Sequence, residues 1–207
     1  MVKTILLLLL QTLLPAFLGA AVWRLTLPLR GGSIRHPRER ALLLLFMADT
    51  AILFLTLTPQ GFWNRLLVYG RLPERPRFSL NRVNLIPFRV TLRQYSYYLR
   101  REMWGVLAVN FLGNLLIFLP VGFLSALLSD KPRWWKSMAA AGVFSLMVET
   151  LQLFIDRGTD VDDLILNTVG GLLGYWAFLL FRRCWPELVR RCGKKGLGDE
   201  NGCETGN

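Results

Sequence analysis

Five apolar stretches, residues 5–23, 41–57, 106–128, 138–155 and 164–181, constrain this chain more than any other feature. A helix needs roughly 17–25 mostly apolar residues to cross a bilayer core, and each stretch qualifies. With no water in the hydrocarbon, the backbone has to satisfy its own hydrogen bonds, so these stretches must be helices. The expected fold class is therefore all-α, a polytopic transmembrane helical bundle of about five spans. Residues are 53% hydrophobic and 19% charged, too apolar for an ordinary soluble domain. A formal charge of +11 would also suit a nucleic-acid binder. Here, however, the arginines cluster between the apolar runs instead of lining one basic face, so the partners expected are membrane lipids and no nucleic acid.

Five spans leave the termini on opposite sides. With the N-terminus outside, the short segments that face the cytoplasm are the ones holding Arg24 to Arg40, Lys131 to Lys136 and Arg182 to Lys195, as the positive-inside rule favours. This predicts a multi-pass protein of the cell membrane with its C-terminus in the cytoplasm. The long connection 58–105 and the turn 156–163 then lie outside. The first stretch also has signal-peptide features, with Lys3 before an apolar run and Leu18-Gly19-Ala20 as small residues for cleavage. Cleavage would leave the arginines from Arg24 to Arg40 outside, against the charge rule. Residues 1–80 read as a two-span extension with its outer connection and 81–183 as a three-span domain. Residues 184–207 read as a disordered tail, glycine-rich and charged at its end. Cys184, Cys192 and Cys203 fall on the cytoplasmic side, so no disulfide framework is expected.

Polar residues inside the last three spans are costly and therefore informative. Asn110 and Asn114 lie four apart in the third span, and Glu149 and Gln152 three apart in the fourth. Asp160, Asp163, Asn167, Gly171 and Gly174 follow helical spacing into the fifth, where the glycines also read as small-residue contact points. A glutamate facing lipid would cost about 2.5 kcal/mol or more, so Glu149 is expected to face the bundle, with Asn114, Gln152 and Asn167 as suitable partners. Arg157 is placed to pair with Asp156, Asp160 or Asp163 at the rim. Polar groups between membrane helices often act only as fasteners worth about 1 kcal/mol each. Seven of them, three acidic, exceed what three helices need, which points to a polar pit open to the outer face. Asp49, in the second span, has no sequence-local partner and reads equally as a structural hydrogen bond or an extension of that pit.

Before the third span, Asn81 to Phe88 reads Asn-Arg-Val-Asn-Leu-Ile-Pro-Phe, and Pro87 biases Ile86 toward extended backbone. Residues 89–104 then place Leu92, Tyr95, Leu99 and Met103 at spacings of 3, 4 and 4 with arginines between, the pattern of an amphipathic helix lying on the outer leaflet. Arg89, Arg93, Arg100 and Arg101 have the chemistry to hold anionic headgroups beside the pit.

Taken in order, Asn84-Leu85-Ile86-Pro87-Phe88, Asn114-xxx-Phe118-x-Pro120-x-Gly122, Glu149-xx-Gln152 and Arg157…Asp160-xx-Asp163…Asn167-xx-Gly170-Gly171-xx-Gly174 resemble the signature of the VanZ-like integral membrane proteins. The resemblance spans roughly residues 81–181. It implies a site drawn from Asn84, Pro87, Phe88, Asn114, Glu149, Gln152, Arg157, Asp160, Asp163 and Asn167. Because the founding VanZ protein is associated with resistance to teicoplanin, a glycopeptide that binds cell-wall precursors outside the membrane, it also implies a role at the envelope and an effect on glycopeptide susceptibility.

Three functions fit these residues. The first is a protein whose outer pit recognises a lipid-linked cell-wall precursor or a glycopeptide. The second is a membrane-embedded enzyme on a lipid-linked substrate, with Glu149 as general base and Asp160 or Asp163 as acid or as ligands of a hard cation. The third is a small proton-coupled carrier using Glu149 and Asp49. The single histidine, His36, lies on the cytoplasmic loop, which removes serine–histidine and histidine–zinc chemistry, and no phosphate-binding glycine–lysine loop is present. No cofactor or resident metal is expected.

Overall fold

The computed structural model of the chain describes residues 2–26, 36–58, 83–155 and 159–193. Arg157, Asp156, Asn81 and Cys203 lie outside the described residues, as do the side chain of Asn110 and the tail beyond residue 193. Helices α1 (Val2–Thr26) and α2 (Pro37–Leu57) come first. A two-residue strand β1 (Val83–Asn84) precedes α3 (Arg89–Arg100), α4 (Trp104–Ile117) and α5 (Leu119–Leu127). Then come α6 (Trp134–Gln152) with a 3-10 turn at Leu153–Ile155, strand β2 (Thr159–Asp160), α7 (Val161–Cys184) and α8 (Pro186–Cys192).

The fold is thus helical, as the apolar runs predict, save for one short parallel pair that joins Val83 to Thr159 and Asn84 to Asp160. Among the described residues, three helical segments, Pro37–Leu57, Trp134–Ile155 and Val161–Cys184, are long and apolar enough to cross a membrane. Thr12–Thr26 and Phe111–Leu127 are shorter apolar helical segments. Large apolar side chains such as Phe17, Leu44, Val143, Trp176 and Leu180 point out of the bundle, as suits helices that face lipid.

Local chemistry accounts for three departures from the sequence reading. The stretch 106–128 is not one helix but two, broken at Phe118, because Pro120 has no N–H for the carbonyl four residues earlier. The helix starting at Arg89 stops at Arg100, and Glu102 takes a left-handed backbone (φ 55°) that redirects the chain into α4. The tail is not disordered from its start, since Pro186–Cys192 is helical and buries Cys192 against the beginning of α2. Burial pushes the Cys192 thiol up, against the opposing pull of Arg40 and Arg38.

Helix α7 packs against α6, α5 and α4, and α5 and α6 also touch each other. The contact is backbone-close. A Cβ built on Gly122 would stand 2.0 Å from the Gly171 carbonyl oxygen, and one on Gly174 would stand 2.2 Å from that of Leu119. A layer of Ile52, Phe118, Val121 and Ala141 joins α2 to this seam, and a second layer of Ala41, Leu124, Leu127, Phe178 and Cys192 fills one end. At that end the buried Arg38 donates through Nη1 to the carbonyls of Leu128 (3.2 Å) and Cys192 (2.9 Å), tying together the start of α2, the exit from α5 and α8. The start of α7 and the ends of α2 and α6 lie at the other end, where the acidic residues gather.

The seam makes a sharp prediction. Gly122→Ala and Gly174→Ala should each destabilise the folded protein by about 1–3 kcal/mol through overpacking. Gly113→Ala, where an added Cβ meets nothing within 4 Å, should be neutral or stabilising. Thermal unfolding in detergent, followed by circular dichroism, separates the two outcomes.

Candidate functional site

The polar end is built from the first turn of α7. Asp160, in extended backbone, caps that helix: its Oδ1 accepts from the Asp162 amide at 3.0 Å. A side-chain oxygen at this position satisfies one of the amides that a helix start leaves open, and its negative charge meets the positive end of the helix dipole. The same Oδ1 accepts from Asn84 Nδ2 at 2.9 Å, so one carboxylate both starts α7 and fastens β1. Asn84 in turn accepts from the Ile86 amide through Oδ1, which begins the turn over Pro87.

Glu149 reaches the same place from α6. Its Oε2 accepts from the Asp160 amide at 3.2 Å, and its carbonyl accepts from Thr159 Oγ1 at 3.0 Å. The side chain is buried in the bundle, as the cost of exposing it to lipid requires. Asn114 Nδ2 donates to Asp163 Oδ1 at 2.5 Å, joining α4 to α7 beside this cluster.

Asp162, which helical spacing passed over, proves central. It is only 3% exposed, and it accepts from the Phe88 amide at 2.7 Å through Oδ1 and from Thr91 Oγ1 through Oδ2. Helix α3 has no side-chain cap of its own, so a carboxylate from α7 does the capping across the fold. The stretch it holds is unusual. Phe88 is left-handed (φ 62°), a conformation that costs a bulky residue about 1–2 kcal/mol and persists only where neighbours fix it. The sequence signal was the run Asp160-Val161-Asp162-Asp163, in which two carboxylates in one first turn must face different neighbours.

Between its two pinned ends the segment exposes its apolar residues. Leu85, Ile86 and Phe88 are 73%, 52% and 52% exposed, and Pro87 is exposed with them. Tyr95 of α3 packs edge-on against Phe111. Burial, then the charges of Asp163 and Asp162, pushes its phenol up.

Of the residues singled out in the sequence, the structure brings together Asn84, Phe88 through its amide, Glu149 and Asp160, with Asn114 and Asp163 as an adjoining pair. Each carboxamide suited to partner Glu149 makes a bond elsewhere in the bundle. Asn114 bonds Asp163, Gln152 Nε2 donates to the carbonyl of Thr56 on α2, and Asn167 Nδ2 donates to Ser145 Oγ one turn deeper in the bundle. Through these bonds Gln152 ties α6 to α2 and Asn167 ties α7 to α6. Among the described residues, no three acidic, histidine or cysteine side chains are grouped to hold a metal ion.

A family model described as VanZ/LLP1 matches residues 40–182, about two thirds of the chain. The chain belongs to the VanZ/LLP1 family. The match to this family of membrane proteins takes in most of α2 and the helices around the acidic cluster, and ends near the close of α7. No curated protein and no solved structure matches it significantly.

Removing the cross-fold cap should loosen one element alone. In Asp162→Ala, the Phe88 amide and Thr91 hydroxyl lose a charged acceptor, a bond class worth about 1.5–3 kcal/mol. Amide hydrogen exchange over residues 88–100 should accelerate tenfold or more, since about 1.4 kcal/mol corresponds to a factor of ten. Exchange in the middle of α7 should stay as it was. Thr91→Val should give the same pattern at smaller amplitude.

Proposed function

We propose that this VanZ-like protein binds a cell-envelope or lipid-linked ligand at its acidic end, which faces away from the cytoplasm. The observation that carries the reading is the exposed Leu85–Phe88 loop. Costly charged groups at both of its ends hold apolar side chains out of the bundle instead of burying them. An apolar loop fixed above half-buried Asp160 and Asp163 offers one surface to a hydrocarbon chain and another to a polar head. That division suits an amphiphile such as a lipid-linked cell-wall precursor. It also suits a role in glycopeptide susceptibility, since teicoplanin acts on such precursors.

The arrangement proposed is five spans, with the shorter α1 and α4–α5 segments crossing beside the three long helices. Arg38, Arg133, Arg182 and Arg183 belong to the end opposite the acidic cluster, and the positive-inside rule makes that end cytoplasmic. The membrane-embedded enzyme is the weaker reading. The bonded carboxylates serve here to cap helices and fasten β1, and none of the described bonds holds a general base toward an open reacting position.

Two measurements test the proposal. In a variant lacking the native cysteines, Leu85→Cys should react with an impermeant maleimide on intact cells and Arg133→Cys only after permeabilisation; the reverse pattern rejects the orientation. Leu85→Ser and Asp163→Asn should abolish any shift in teicoplanin susceptibility that the wild-type chain confers on a sensitive host, at equal membrane abundance. An unchanged shift in both variants would reduce the acidic cluster to a set of helix fasteners.

A further inference from the structure

Helix α3 carries three separate stripes. Thr91, Tyr95 and Tyr98, at spacings of 4 and 3, are half-buried and form the face docked on the bundle. Leu92 and Leu99, seven apart, are 65% and 45% exposed on one flank. Arg89, Arg93 and Arg100, at spacings of 4 and 7, form an exposed stripe on the side opposite the docked face.

Among the described residues, these arginines have no carboxylate partner. Helix α3 contains no acidic residue, and among the described residues Arg89, Arg93 and Arg100 make no ion pair. Arg101 lies over the ring of Tyr97, and Trp104, 61% exposed, follows at the start of α4. With the docked face against the bundle and the leucine flank laid on hydrocarbon, the arginine stripe projects away from the bundle at the level where headgroups lie. Aromatic residues beside it suit the same level.

We infer that the Arg89–Arg93–Arg100 stripe is a binding rail for the phosphates of anionic phospholipids in the surrounding leaflet. Guanidinium groups match phosphate oxygens with paired donors, and the adjoining leucine flank covers the first acyl carbons. The inference does not depend on what the acidic end binds. It assigns α3 its own ligand class.

The test uses the full chain in nanodiscs containing either phosphatidylglycerol or phosphatidylcholine with identical acyl chains. Lipids retained after release are counted by native mass spectrometry. Wild-type protein should retain phosphatidylglycerol in preference, with the preference falling at high salt. Each of Arg89→Gln, Arg93→Gln and Arg100→Gln should lower it about fivefold, the effect of one arginine near an anionic surface. Arg182→Gln with Arg183→Gln should leave the contribution from α3 in place. A photoactivatable phosphatidylglycerol analogue on the wild-type chain gives a second readout that needs no variant, and it should label residues 89–104. Equal retention of both lipids, an unchanged preference in the triple variant, or labelling confined to the Arg182–Arg191 end would overturn the inference.

Discussion

Two carboxylates at the start of α7, the cap Asp160 and the first-turn Asp162, hold together parts of the chain that lie far apart in sequence. Asp160 starts the helix and fixes Asn84, while Asp162 fixes Phe88 and Thr91. Asp160 and Asp162 lie at a helix N-terminus, where the dipole favours negative charge, so an acid-rich turn that would be unwelcome elsewhere is stabilised. Segment 83–103 owes its position to this turn. Without these carboxylates, β1 would keep only its backbone pairing with Thr159 and Asp160, and α3 would lose its cap.

The bundle beneath has a different logic. Its helices meet through glycines and small residues, with Gly122 and Gly174 admitting opposing carbonyls where any side chain would intrude. Polar contacts at depth, such as Asn167 with Ser145 and Gln152 with the Thr56 carbonyl, add specificity to packing that apolar contact alone would leave loosely defined in lipid. Close backbone approach sets the spacing of the helices, and the acidic turn then decorates one end of a scaffold that is already rigid.

Much of this was legible in the residues themselves. Apolar run lengths located the helices, and the stripe from Asp163 to Gly174 anticipated the face of α7 that meets its neighbours. The signature residues Asn84, Glu149 and Asp160 do converge, and Asn114 with Asp163 joins them. What the sequence withheld was long-range pairing. Periodicity says which residues share a face but not what that face meets, so Gln152 and Asn167 looked like partners for Glu149, whereas Gln152 bonds the Thr56 carbonyl on α2 and Asn167 bonds Ser145, one turn before Glu149 on α6. Asp162 escaped notice because its partners, a backbone amide and a threonine hydroxyl more than 70 residues away, become available only once the loop at 83–91 folds back. A parallel pair two residues long leaves no alternation to read.

The seam around Gly122 and Gly174 also limits how the protein can move. Sliding α7 along α5 by even one residue would press side-chain-bearing positions against carbonyls that now sit where only a hydrogen fits. Piston-like or screw motions of the spans are thereby suppressed. Outside that seam, β1 and α3 are attached at the periphery through the bonds of Asp160 and Asp162.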